Sequence, residues 1–225
     1  MAAEDVRLGE GTAGMLQSHR VEVRYRLTES LSQDDLDAAI ALISSEERAR
    51  RDRFHFARDR RDYAAAHALL RASLARAAGR PPGEWRFDAE PRGKPTLQPG
   101  DPARGSLSFN LSHTHGLVAC AIASGADLGV DVERIDRGAN ADGIAGRYFA
   151  ASEIAWLRAV PAKAYAARFI TLWTLKEAYL KATGEGISES LTKMAFEVGD
   201  DGRMPSFFTP AFSFILQGGR LPTQR

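Results

Sequence analysis

Two carboxylates with alternate spacing occur in the stretch GVDVERID, at Asp131 and Glu133. Alternate side chains of a β-strand lie on the same face, so both carboxylates would point one way and Val130 and Val132 the other. Carboxylates with Cβ atoms about 6–7 Å apart repel each other unless water or a cation lies between them. Mg²⁺ prefers such oxygen ligands. Taken alone, the pattern favours a solvated strand face, with a divalent cation site as the alternative.

A second acid, Glu177, lies four residues before a base, Lys181, in the stretch WTLKEAYLKATGEG (173–186). Residues four apart share one face of a helix, and an exposed pair at this spacing contributes only about 0.3–0.5 kcal/mol. A surface ion pair is therefore one interpretation. The apolar neighbours of the pair, among them Leu175 and Ala178, favour the other, in which both groups face a substrate.

The stretch FNLSHTHGLV (109–118) predicts a strand whose end carries several short polar side chains. His113 and His115 have alternate spacing, but no Cys or His follows at ligand spacing, so the pattern does not favour zinc. Asn110, Ser112 and His113 suit an anion or the adenine and ribose edge of a nucleotide. The alternative is a hydrogen-bonded turn.

Two basic stretches could contact phosphate. In PRGKP (91–95), Gly93 lets the backbone approach a ligand while the prolines hold Arg92 and Lys94 in place. The stretch 48–62 contains seven Arg and three Asp residues. On a helix it would form a basic face for polyphosphate, an acidic protein or RNA, or an exposed surface with internal ion pairs.

The composition indicates a globular protein. The chain has 225 residues, of which 44% are hydrophobic and 26% charged. The net charge of +1 predicts no global attraction to nucleic acid or to an anionic membrane. A single cysteine, Cys120, excludes an intrachain disulfide and a cysteine-based zinc site. Without a signal-peptide pattern or an apolar run long enough to span a membrane, we expect a soluble cytoplasmic protein.

Period-two and period-3.6 patterns predict the elements that position these residues. We expect strands at 20–27, on both sides of a turn at 113–116, at 126–136, and within 193–207. We expect helices after caps at Ser32 and Ser44, the second one continuing to Gly79, after a cap at Ser152, and over 169–183. The order favours an α+β fold of two similar lobes with largely antiparallel sheets. We assign residues 1–18 to a flexible tail, 19–124 to one lobe and 125–225 to the other.

Six stretches in this order resemble the Sfp-type 4′-phosphopantetheinyl transferases. They are RFHFARDRRD, RGKPTL, FNLSHTHG, GVDVERID, RYFAASEIAWL and WTLKEAYLKATGEG, and the resemblance covers roughly residues 20–200. It implies two similar α/β lobes related by a pseudo-twofold, with the active site in the cleft between them. It also implies transfer of the phosphopantetheine arm of coenzyme A to a serine of an apo carrier protein. In this post-translational modification 3′,5′-ADP is released, and the partner supplies the nucleophile.

The resemblance assigns roles to the acids and the helix lysine. Asp131, Glu133 and Glu177 match the family's Mg²⁺ cluster, which resolves the repulsion between the two strand carboxylates. Glu177 also matches the base that takes the serine proton. Lys181 matches the lysine that contacts the pyrophosphate of coenzyme A and stabilises the departing ADP.

The remaining matches concern coenzyme A binding. Lys94 matches a lysine near the nucleotide, Ser112 and His113 match a Ser-His pair with the histidine at the 3′-phosphate, and Arg50 and Arg53 fall in a segment that contacts phosphates. The C-terminal stretch departs from the family, because it stops where relatives have further strands.

Two other functions stay open at this point. One is a different Mg²⁺-dependent phosphoesterase acting on a nucleotide or a coenzyme A-like pyrophosphate. The other is a non-catalytic module that binds RNA or an acidic protein through the face 48–61, against which the near-neutral total charge argues. For the transferase we expect coenzyme A and an apo acyl or peptidyl carrier protein as partners, no nucleic acid or membrane, and a monomer. Fatty acid, polyketide, nonribosomal peptide and lysine-pathway carriers all remain candidates.

Overall fold

A computed structural model describes residues 4–6, 21–89, 95–135, 141–184, 191–192, 194–196 and 212–218. The helices are α1 (Gln33–Leu42), α2 (Ser45–Arg51), α3 (Ala57–Ala78), α4 (Ala141–Tyr148), α5 (Ala151–Arg158) and α6 (Ala162–Thr183). The strands are β1 (Glu4–Val6), β2 (Val21–Leu27), β3 (Phe87–Ala89), β4 (Pro95–Leu97), β5 (Leu107–Thr114), β6 (Leu117–Ser124), β7 (Leu128–Arg134) and β8 (Phe212–Gly218). The chain therefore mixes helices and sheets, as predicted.

The main sheet has the order β1-β2-β6-β5, and all of its pairs are antiparallel. β5 and β6 form the predicted hairpin, with His113 opposite Val118. Both faces of β6 are buried. On one face Val118, Cys120 and Ile122 pack against α3, and this forms the first core.

The strand β7 covers the other face of this sheet. Its residues Leu128, Val130 and Val132 pack on the small side chains Ala119 and Ala121 of β6. Because side chains alternate along a strand, the residues between them face the opposite way, toward α6. β7 also pairs with β8 in parallel, and the other strand pairs in the described ranges are antiparallel, so the sheets are largely antiparallel as predicted.

The helix α6 lies unusually close to β7, at Gly129. A Cβ atom on Gly129 would lie 1.8 Å from the carbonyl oxygen of Ala178, so only glycine allows this approach. The helix ends at Gly184, which has a left-handed φ of 74° that glycine adopts without strain. This close contact fixes which residues of α6 face the carboxylates of β7.

Several predicted boundaries were wrong for local reasons. The helix expected to continue from Ser44 to Gly79 is broken between α2 and α3, where Arg60 donates to the carbonyls of Phe54 and His55. α5 begins before Ser152, because a carboxylate oxygen of Glu153 accepts from the backbone N–H of Ala150 at 2.7 Å.

Two further elements differ from the prediction. α6 starts seven residues earlier than expected, at Ala162, and α4 was not predicted at all. Part of the expected tail, Glu4–Val6, forms the edge strand β1, because backbone pairing to β2 needs no side-chain period. The strand expected within 193–207 falls largely outside the described residues, and 194–196 have no regular structure.

None of the helices in the described ranges combines the length and hydropathy needed to cross a membrane.

Candidate active site

A cavity of about 400 Å³ opens between β5, β7 and α6. It collects six residues that the sequence singled out from three separate stretches. These are Ser112 and His113 from β5, Asp131 and Glu133 from β7, and Glu177 and Lys181 from α6. Leu111, Val132 and Trp173 complete its lining.

Side chains of β5 join this strand to β7. The side-chain oxygen of Asn110 accepts from the backbone N–H of Val130 at 3.0 Å, and Ser112 Oγ accepts from that of Val132 at 3.2 Å. These side chains replace the backbone hydrogen bonds that would join two neighbouring strands. They give the buried backbone N–H groups of β7 hydrogen-bond acceptors, without which burial of those groups would be destabilising. The polar alternation of β5 therefore sets the position of β7 and of its carboxylates.

Each β7 carboxylate has its own hydroxyl donor on β5. Ser112 donates to Asp131 Oδ1 at 2.8 Å, and Thr114 donates to Glu133 Oε1 at 2.6 Å. Asp131 is buried and Glu133 half-buried. Both face the cavity, as the alternation in the sequence predicted, and both are held in defined orientations.

Lys181 reaches from α6 to β7. Its Nζ lies 2.7 Å from Asp131 Oδ1, 3.0 Å from Ser112 Oγ and 3.2 Å from the carbonyl oxygen of Val130. A lysine ammonium has three protons to donate. Lys181 therefore places a positive charge beside Asp131 in the cavity and connects α6 with β5 and β7.

Glu177 is the carboxylate with an unmet hydrogen-bonding requirement. Its Oε1 is buried and has no hydrogen-bond partner among the described residues. Burial raises the pKa of Glu177, and the charges of Asp131 and Glu133 raise it further, while Lys181 opposes the shift. Such a carboxylate is suited to accept a proton or to bind a cation.

The donor chemistry of the cavity fits a hard divalent cation. Asp131, Glu133 and Glu177 offer carboxylate oxygens. A cation bound at Glu177 Oε1 would offset the free-energy cost of burying that oxygen without a hydrogen-bond partner among the described residues. Even so, no three His, Cys, Asp or Glu side chains in the described ranges lie close enough together to hold a metal ion. The structure thus contains the oxygen donors without a preformed metal cage.

His113 lies exposed at the rim of the cavity. Desolvation of its ring lowers the pKa of His113, and the nearby charge of Lys181 lowers it further. His115 turns away from the cavity toward Asp62, with Nδ1 3.5 Å from its Oδ2. Of the two histidines, His113 lines the cavity and His115 does not.

Two of the predicted binding residues, Arg50 and Arg53, are not in the cavity lining. Arg50 and Arg53 are exposed, on α2 and in the turn after it. Lys94 lies outside the described residues. The cavity itself therefore gives no support for a role of Arg50 and Arg53.

Two residues at the site were not among those predicted: Thr114, whose hydroxyl donates to Glu133, and Trp173, which lines the cavity. Asn110, Ser112 and Thr114 alternate along β5 just as the carboxylates alternate along β7, which is the signal that could have paired the two strands. Trp173 does pack on Phe169, with ring centroids 6.1 Å apart, but it also lines the cavity one turn before Glu177.

Comparison with known proteins gives a consistent result over most of the chain. Residues 127–217 match the 4′-phosphopantetheinyl transferase superfamily, and residues 30–125 match the N-terminal region described for 4′-phosphopantetheinyl transferase.

Individual relatives agree with these matches. The chain is 39% identical to the 4′-phosphopantetheinyl transferase HetI of a Nostoc species over 73% of this chain and 69% of the relative. It is 30% identical to a 4′-phosphopantetheinyl transferase of Bacillus subtilis over 81% of this chain and 80% of the relative. It is 27% identical to the 4′-phosphopantetheinyl transferase Sfp of Bacillus subtilis over the same shares.

Proposed function

The chain belongs to the 4′-phosphopantetheinyl transferase superfamily, and on that premise we propose that it transfers the phosphopantetheine arm of coenzyme A to a serine of an apo carrier protein in the cavity described above. The observation that carries the proposal is the meeting of Ser112–His113, Asp131–Glu133 and Glu177–Lys181 in one cavity. The separate elements β5, β7 and α6 bring carboxylates, a lysine and a histidine into the same cavity.

The cavity residues suit the two ends of the reaction. His113 at the rim would bind a phosphate oxygen of coenzyme A, and Lys181 would supply a fixed positive charge near the bond that breaks. Ser112 would act by holding Lys181, whose ammonium donates to the serine hydroxyl oxygen. The nucleophile would come from the carrier serine, so no serine or cysteine of this chain needs to react. We further propose that the first and second halves of the chain form two related lobes with this cavity as their cleft.

The acids would divide the remaining work. Asp131, Glu133 and Glu177 would hold Mg²⁺, which, when bound, supplies Lewis-acid stabilisation of the pyrophosphate charge. Glu177 would also accept the proton of the incoming serine, directly or through water, because its raised pKa makes the carboxylate a better base. The products would be the holo carrier and 3′,5′-ADP.

The decisive experiment measures transfer onto several apo carriers by mass spectrometry in the presence of coenzyme A and Mg²⁺. We expect a mass increase of one phosphopantetheine group with the wild-type protein. Glu177→Gln should lower kcat by at least about 100-fold, the usual contribution of a general base, while the fold is preserved.

The matched control is Glu84→Gln, at an exposed glutamate remote from the cavity lining, which should keep wild-type activity. Normal transfer by Glu177→Gln would contradict the assignment of the base. Release of free phosphopantetheine without a carrier would instead favour a phosphoesterase.

A further inference from the structure

A fully buried ion pair joins α5 and α6 behind the cavity. Lys176 Nζ lies 2.9 Å from Glu153 Oε2, and neither side chain is exposed to solvent. Lys176 immediately precedes Glu177 on α6. Successive residues of a helix point about 100° apart, so Glu177 reaches the cavity while Lys176 reaches into the core.

The pair also binds the chain that follows α6. Lys176 Nζ donates to the carbonyl oxygens of Leu191 at 2.9 Å and Met194 at 2.7 Å. Glu153 Oε1 accepts from the backbone N–H of Phe196 at 2.9 Å. One cation and one anion thereby fasten three segments to each other, namely α5, α6 and the described residues within 191–196.

Stability alone is a weak reason for such a pair. Removing two charges from water costs several kcal/mol per ion, and apolar replacements of buried pairs are often neutral or stabilising. Burial lowers the pKa of Lys176, and the adjacent Glu153 opposes that shift. The hydrogen bonds of the ion pair form in only one orientation of α6. An apolar pair would not fix the orientation of the helix in this way.

We propose that Glu153 and Lys176 are positioning residues that set the rotation of α6 about its axis and thereby aim Glu177 into the cavity, an inference that rests on the proposed function. On the opposite side of the helix, Gly129 fixes how closely α6 approaches β7, and the ion pair fixes its rotation. Side-chain tips lie about 5–6 Å from a helix axis, so a rotation of about 10° moves them by about 1 Å. A displacement of that size can cost about 100-fold in rate.

The test replaces both charges at once by neutral groups of similar size, in Glu153→Gln/Lys176→Met. Since the charges are lost together, no unpaired ion remains in the core, and we expect a folded protein with a melting temperature close to that of the wild type. We expect kcat for transfer to fall 10- to 100-fold. The KM for coenzyme A should change by a smaller factor than kcat, because His113 on β5 keeps its position and only Lys181 moves with α6.

A role in stability alone predicts a different result, namely a folded double variant with wild-type kcat, which would overturn the proposal. The matched control is Lys163→Met, the same change at an exposed lysine of the same helix, which should alter neither kcat nor KM. Amide hydrogen exchange gives a readout besides activity. It should increase at residues 191–196 in the double variant only.

If the double variant does not fold, Lys176→Arg decides the question, because the charges stay paired in the core while the planar guanidinium changes the contacts with the carbonyl oxygens of Leu191 and Met194. An unchanged kcat in that variant would likewise overturn the proposal. Absence of transfer by the wild-type protein would refute the proposed function instead, so the two failures are distinguishable.

Discussion

At the scale of single residues, the three carboxylates of the cavity differ in their hydrogen-bond and ion-pair partners. Asp131 has Lys181 and Ser112 as partners, Glu133 has Thr114, and Glu177 Oε1 has no partner among the described residues. Three carboxylates that the sequence treats alike therefore differ in their readiness to bind a proton or a cation. The unpartnered one is the residue to which we assign the chemistry.

This difference predicts a pH-dependent stability in the absence of ligands and metal. Because burial and its acidic neighbours raise the pKa of Glu177, the folded protein keeps this proton at pH values where the unfolded chain has released it. The free energy of unfolding then falls as the pH rises from the ordinary value of 4.5 through the raised pKa. In Glu177→Gln the side chain cannot ionise, so the free energy of unfolding does not fall for this reason as the pH rises.

We therefore expect Glu177→Gln to melt at a higher temperature than the wild type at pH 8 and at a similar temperature near pH 4. Thermal denaturation followed by circular dichroism across this range measures the difference. The exposed Glu84→Gln should show no such pH-dependent gain. A lower melting temperature for Glu177→Gln at pH 8 would contradict the account of its burial.

At the scale of elements, the backbones of β7 and α6 lie so close together at Gly129 that no side chain fits between them. The backbone of Gly129 faces the Ala178 carbonyl of α6, so that any Cβ must displace the helix. The two elements carry Asp131, Glu133, Glu177 and Lys181, so their spacing is also the spacing of the site. Gly129 therefore sets the spacing between the carboxylates of β7 and the cavity residues of α6.

We expect Gly129→Ala to destabilise the protein by about 1–3 kcal/mol or more, the usual cost of overpacking, and to reduce transfer. Chemical denaturation with an activity assay on the folded fraction measures both effects. Gly146→Ala is the matched control, because it lies in helix α4 with no heavy atom within 4 Å of the new Cβ. It should be neutral or stabilising by about 0.5–1 kcal/mol. Equal effects of the two changes would argue against the close contact.

At the scale of the whole molecule, the cavity draws on both halves of the chain. β5 comes from the region that matches the N-terminal family description, and β7 and α6 come from the region that matches the superfamily. A ligand in this cavity touches both. Binding to the folded state alone stabilises it by mass action, by about 2.7 kcal/mol at a concentration 100 times the Kd.

We therefore expect coenzyme A with Mg²⁺ to raise the melting temperature and to slow amide hydrogen exchange in both β5 and α6. Exchange followed by mass spectrometry, with and without ligand, measures this. α1, which contributes no residue to the cavity lining, serves as the internal reference. Protection confined to one half of the chain would show that the ligand does not bind across the cavity.

Much of the local structure was predictable from the sequence. The alternation in 21–27 and 128–134 gave both strands and correctly placed Asp131 and Glu133 on one face. Ser32 and Ser44 begin α1 and α2 as predicted, with side-chain and backbone hydrogen bonds that satisfy the first helical N–H groups. The break at 52–56 was not predictable, because its aromatic residues leave the helix to make contacts elsewhere, such as Phe54 with Tyr63.

The sequence by itself determined which residues share a face, because the periods of strands and helices are properties of the local backbone. It also determined the family, through six stretches in a fixed order. Only the tertiary structure decided that Lys181 pairs with Asp131, that β5 side chains hold β7, and that Lys176 is paired with Glu153. These contacts depend on how separate layers pack, and a spacing along one element carries no information about the element that lies opposite.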